Sequence, residues 1–197
     1  MSQPADRSEE TKKKLLVAAR DLIVAKGWSS ASIRGIAAQA GVNLALINYH
    51  FGGKKNLLAA MLDTAVARIT EDYTPADVGA DLGAFVAEAT RVSPRLAGDP
   101  NVRVLVAAMT EAVHDPDIAA VVRRNLDALR AQLAQVIRAS GIPEAQVAPL
   151  STLLAAFLDG IMLHVILDPD TDVQGVAALI GRWDAPGSTS RDSRPAS

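Results

Sequence analysis

Cysteine is missing from all 197 residues, which excludes disulfide staples, thiolate metal sites and thiol nucleophiles together. Also missing is the period-two alternation, bounded by turns, that a sheet needs, so an all-α fold is expected. No glycine-rich phosphate loop, carboxylate–His–Ser constellation or metal-ligand set is recognisable. The three histidines, His50, His114 and His164, fall on three different predicted helices. His164 and Asp168 have the i, i+4 spacing of two metal ligands, but no third ligand is evident. We therefore expect no enzymatic activity, no cofactor and no metal. Polar Met1–Arg7, followed by Glu9, Glu10 and Lys12 to Lys14, lacks a signal-peptide pattern, so a cytoplasmic location is expected.

What is present is apolar and helix-forming. Hydrophobic residues make up 49% of the chain, more than a disordered chain carries, and alanine, the strongest helix former, occurs 36 times. The net charge of −2 conceals an asymmetry. Residues 1–60 hold nine Lys and Arg against four Asp and Glu, a balance of +5, which leaves −7 for the remainder. All six lysines lie at or before Lys55. A basic head on an acidic body points to a polyanionic partner for the head.

Helix punctuation divides the chain. The spacing predicts a first helix from near Ser8, capped by Asp6 or Ser8 and stopped by Gly27. A short helix follows Ser32 and breaks at Gly41, and a shorter one runs from Asn43 to about His50. A long helix covers Lys54 to Asp72. Thr74-Pro75, Asp99-Pro100, Asp115-Pro116 and Ile142-Pro143 each open a further helix, ending near Arg91, His114, Ser140 and Leu167. Thr171 and Gln174 form a capping box for a last helix to about Arg182. The Pro, Gly, Ser, Thr and Arg-rich tail, 184–197, is expected to be disordered.

Ala37, Gly41 and Ile47 fall at the spacing of a helix-turn-helix: a small residue under the crossing, a glycine in the turn, and an aliphatic plug. Polar Ser32, Arg34, Asn43, Asn48, Tyr49, His50 and Lys54 are left for the surface. The third helix would then enter a major groove with its N-terminal residues at base edges. Trp28 reads as a hydrophobic lid after Gly27.

The run Ser32-Ile33-Arg34-Gly35-Ile36-Ala37-Ala38-Gln39-Ala40-Gly41-Val42, continuing through Ile47-Asn48-Tyr49-His50-Phe51 to Lys54, Leu57 and Leu58, resembles the DNA-binding domain of the TetR/AcrR family of transcriptional repressors. The resemblance covers residues 8–60 closely and beyond them only the all-helical layout. It implies that Lys54, Tyr49 and His50 grip backbone phosphates. Arg34 and Ser32, at the start of the second helix, join them as phosphate candidates. The chain departs from the usual pattern with Leu44, Ala45 and Leu46 early in the third helix, and with Asn48 where tyrosine is commonest. Asn48 can pair with adenine, whereas Leu44 and Ala45 offer only apolar contacts, for instance to a thymine methyl.

The expected organisation is a helix-turn-helix domain over 8–53 and a helical effector-binding and dimerisation domain over 54–183. The helix from Val147 to Leu167 is apolar nearly all round and must be covered on both sides. We expect it to pair with the helix 116–140 in a homodimer interface, an arrangement the resemblance also implies. Asp159 and His164 argue against its crossing a membrane. The family's body usually encloses a small-molecule effector, for which Phe85, Arg91, Met109, Thr110, His114, Phe157 and His164 are the candidate contacts. With aromatics at 4%, a stacking cage for flat polycyclic compounds is disfavoured. The expected function is a ligand-responsive repressor on a palindromic double-stranded operator. The competing readings are an all-helical enzyme and a protein-binding adaptor without sequence-specific DNA binding.

Overall fold

A computed structural model of the chain describes residues 4–72 and 82–181. Its helices are α1 (Pro4–Lys26), α2 (Ile33–Ala40), α3 (Ala45–Phe51), α4 (Lys54–Asp72), α5 (Leu82–Ala97), α6 (Pro100–Glu111), α7 (Pro116–Ala139), α8 (Glu144–Leu167) and α9 (Val173–Ile180), with a 3₁₀ turn at Trp28–Ser30. No strand occurs among the described residues, in keeping with the missing alternation. The expected helix start at Thr74-Pro75 and the tail 184–197 lie outside the described residues.

Packing groups the described residues into two compact units. One draws on Met1–Thr74 and Arg95–Leu129, the other on Pro75–Pro94 and Arg130–Ser197. In the first, α1 packs on α2, α4 and α6, while α4 also packs on α3 and α6. Leu15, Ile23, Ile36, Ile47, Leu57, Met61, Leu62 and Val104 are fully buried there, each contributing about 1.5–3 kcal/mol of hydrophobic stabilisation. Val104, Ala108, Ile118 and Val121 complete this core from segments far along the chain. Trp28 lies half-buried against it, as a lid should. In the second unit Phe85, Val86, Leu133, Ile137, Val147, Leu154 and Val165 are buried. There Arg138 grips Glu144 through two hydrogen bonds of 2.9 and 2.7 Å, joining the end of α7 to the start of α8.

Several element ends differ from expectation. Helix α1 begins at Pro4, so Asp6 and Ser8 lie within it instead of capping it. Helix α3 begins at Ala45, because Asn43 Oδ1 accepts the Ala45 N–H at 2.8 Å and holds the preceding residues in a turn. Helix α5 continues past Arg91 through Pro94. Proline cannot bond the Thr90 carbonyl, but the Ser93 hydroxyl donates to that oxygen at 2.7 Å and keeps it satisfied. Helix α6 stops at Glu111, short of His114, and Asp115 turns the chain by accepting the Asp117 and Ile118 N–H groups. The cap of α9 is Asp172, which accepts the Gly175 N–H at 2.8 Å, while Thr171 instead donates to the Asp168 carbonyl.

Candidate nucleic-acid interface

Local chemistry sets the α2–α3 pair. Ser32 caps α2, its hydroxyl oxygen accepting the Gly35 N–H at 3.0 Å, which leaves the hydroxyl proton for an outside acceptor. Gly41 ends α2 at φ 66°, a left-handed conformation that costs a side-chain-bearing residue about 1–2 kcal/mol. The Val42 N–H then returns to the Ala37 carbonyl at 3.1 Å, closing the corner. Ala37 and Ile47 are both buried, so the small crossing residue and the plug stand where the spacing put them.

Once Ile47 is fixed inward, one face of α3 is forced outward. Leu44, Ala45, Asn48 and Tyr49 are all exposed, and Tyr49 shows 79% of its surface. Its ring makes an edge-on contact with His50, centroids 4.9 Å apart. Asn43 is exposed but spends its carbonyl on the Ala45 N–H, so only its amide N–H groups remain to donate.

Exposed cations lie on the elements before and after α3 in the chain. Arg34 and Lys54 are exposed and have no ion-pair partner among the described residues. Lys55, by contrast, is held by Asp117 at 2.5 Å. Lys12 and Lys14 pair with Glu9 and Glu10 on their own helix. The hydrogen bond and charge of Lys12 hold the Glu9 carboxyl below its ordinary range, and Lys13 and His50 act in the same direction. His50 therefore lies near the first turns of α1. Lys13, exposed and unpaired among the described residues, is a cation that the motif reading passed over. Its signal was the Lys12–Lys14 run at the start of the first helix.

The structure brings Ser32, Arg34, Asn43, Leu44, Ala45, Asn48, Tyr49, His50 and Lys54 into one unit, all at least partly accessible. The effector candidates divide. Met109, Thr110 and His114 belong to that unit, whereas Phe85, Arg91, Phe157 and His164 belong to the other. Phe85 is buried, Met109 and Phe157 are half-buried, and the rest are exposed. Arg91 pairs with Glu88 one turn back on α5. No group of three or more metal-ligating side chains occurs among the described residues.

This geometry agrees with sequence families of known role. Residues 15–61 match the description "Bacterial regulatory proteins, tetR family", and residues 80–183, more than half the chain, match "BetI-type transcriptional repressor, C-terminal". The chain belongs to the TetR family. Members of that family are transcriptional regulators that bind DNA and small ligands and usually form dimers. The HTH-type transcriptional regulator SrpR of Pseudomonas putida is 32% identical over 112 residues, 57% of this chain and 44% of that protein. The HTH-type transcriptional repressor Rv3405c of Mycobacterium tuberculosis is 41% identical over 73 residues, 36% of this chain and 39% of its own length. The chain thus spans less than half the length of either relative. Among solved TetR-like structures, the multidrug binding protein EbrR complexed with proflavin is 27% identical with a TM-score of 0.61, covering 87% of this chain and 98% of that one.

Proposed function

We propose that this regulator is a repressor that binds a palindromic operator as a homodimer and leaves it when a small-molecule effector occupies the body. The observation that carries the reading is the outward face of α3. Ile47 is fully buried, while Leu44, Ala45, Asn48 and Tyr49 next to it are uncovered and flanked by the unpaired cations Arg34 and Lys54. A buried plug with an exposed, polar and basic reverse side suits a helix that enters a major groove. In this reading residues 8–53 read DNA and residues 54–183 serve dimer and effector.

A single head offers too little surface for tight binding, which calls for two copies on a two-fold site. Helix α8 supplies the apolar surface for that. Helix α7 is the other helix expected to take part. The effector class follows the proflavin bound by EbrR only as far as a small organic molecule, since aromatics amount to 4% here. The candidate contacts are Phe85, Arg91, Phe157 and His164 of the one unit and Met109, Thr110 and His114 of the other, each unit taken by itself.

The test is electrostatic. Selection of duplexes from a random pool should return a palindrome, and Lys54→Ala should weaken binding to it and to unrelated duplexes alike. The slope of log affinity against log salt should fall by about one. An unchanged slope removes Lys54 from the contacts. A wild-type chain that shifts no duplex at low salt sinks the whole reading in favour of an adaptor.

A further inference from the structure

The lysines of the basic head are not equally available. Lys12 and Lys14 pair with glutamates one turn back on their own helix, whereas Lys55 reaches across to α7, its ammonium 2.5 Å from Asp117. Lys55 directly follows Lys54 at the start of α4. That start is pinned to the end of α3, because the Asn56 amide donates to the Phe51 carbonyl at 2.8 Å. Two adjacent ammonium groups therefore stand next to the outward-facing helix, Lys54 unpaired and Lys55 occupied.

Asp117 is a fixed competitor and not a wandering one. Asp115 accepts the Asp117 and Ile118 N–H groups and so shapes the first turn of α7. Ile118 and Val121 are buried in the same core as Leu58 and Leu62 of α4. Two turns on, Arg124 of α7 pairs with Asp63 of α4 at 2.5 Å. From Lys55 to Asp63 is about 12 Å of helical rise, and from Asp117 to Arg124 about 10.5 Å, so the two helices run side by side in the same direction here. The second bridge has the opposite polarity. Its cation belongs to α7, so breaking it frees no ammonium on α4.

We infer that Asp117 is a positioning residue that holds Lys55 away from DNA and thereby sets the affinity of the head for any duplex. The inference rests on the DNA reading of α3 proposed above. To meet a phosphate, Lys55 has to leave Asp117, and the carboxylate left behind then faces DNA of its own sign. An ammonium already neutralised within the chain displaces few counterions from the duplex, so it adds little to the salt-dependent part of binding. Released, Lys55 would become a phosphate contact beside Lys54. The pair is exposed, 66% and 49% at its two side chains, which keeps the hold modest and the expected change several-fold.

A double-mutant cycle in the full chain tests this. Asp117→Asn should bind the selected operator and an unrelated duplex about threefold or more tightly at about 50 mM salt, with the slope of log affinity against log salt steeper by up to about one. The gain should be alike on both duplexes, since a phosphate carries no sequence information. Lys55→Ala should change little in the parent yet abolish the gain when combined with Asp117→Asn. Asp63→Asn, which breaks only the companion bridge, should leave affinity and slope as they were. A merely structural bridge would give the opposite sign: Asp117→Asn would weaken binding along with the urea midpoint, and that result overturns the inference. So does a gain that survives in the double variant, which would be the general field of one lost carboxylate, or a Lys55→Ala loss as large as that of Lys54→Ala, which would make Lys55 an ordinary contact. A parent chain that shifts no duplex at low salt removes the DNA reading itself and this inference with it.

Discussion

Asn48 stands exposed on α3 one residue after the buried Ile47, and its amide can donate to and accept from an adenine edge at once. Asn48→Ala is expected to change which operator is preferred, with about 1–3 kcal/mol of discrimination lost at one base position and little change on unrelated duplexes. Binding to a panel of single-base operator variants checks this, and an equal loss on every variant contradicts it. Asp159 is the other residue with a measurable signature. Burial raises its carboxyl above the ordinary value of 3.8, and the opposing pull of Arg130 is smaller. The folded chain therefore holds this proton more tightly than the unfolded one, so the site costs stability as pH rises through the raised value and costs most above it. Asp159→Asn should be more stable than the parent in urea at pH 7, with the difference closing below the ordinary aspartate value. Sequence alone showed Asn48 and Asp159 as polar residues on helices. It showed the surroundings only of Asn48, because the neighbours of Asp159 include Arg130 on a different helix.

At the scale of the element, the helix-turn-helix was legible because its determinants are local. The cap at Ser32, the left-handed corner at Gly41 and the plug at Ile47 lie within sixteen residues, and each type does one thing there. Gly41→Ala is expected to destabilise the first unit by about 1–2 kcal/mol. Open space surrounds the site, so backbone strain alone accounts for the loss. The shift in urea midpoint measures it, and an unchanged midpoint would show that the corner relaxes freely. Element ends were less legible where a tertiary or side-chain bond overrides the local signal. The helix expected to end near Arg91 runs on through Pro94, because the Ser93 hydroxyl takes over the carbonyl that proline strands. Thr171 reads as a cap, but Asp172 is one residue nearer the first turn and takes the role.

The whole molecule was least legible, since its decisive contacts join distant residues. Arg20 donates to Asn101 at 3.1 Å, Lys55 holds Asp117, and Arg124 holds Asp63, each pair separated by more than sixty positions. The two ion pairs among them are exposed and contribute little individually, about 0–1 kcal/mol. The apolar closure beside them contributes more: Val104, Ala108, Ile118 and Val121 finish the core that Leu15, Ile23 and Met61 begin. A fragment ending at residue 74 is therefore expected to melt without a cooperative transition by circular dichroism, and a sharp transition would refute the expectation.

That shared core governs how the protein can be made and rebuilt. A ribosome must extend past residue 121 before the unit that carries α2 and α3 has its complete floor of core residues. A chimera that grafts the first seventy-odd residues onto a foreign sensor would leave that floor behind. A working transplant has to carry α6 and the first half of α7 as well.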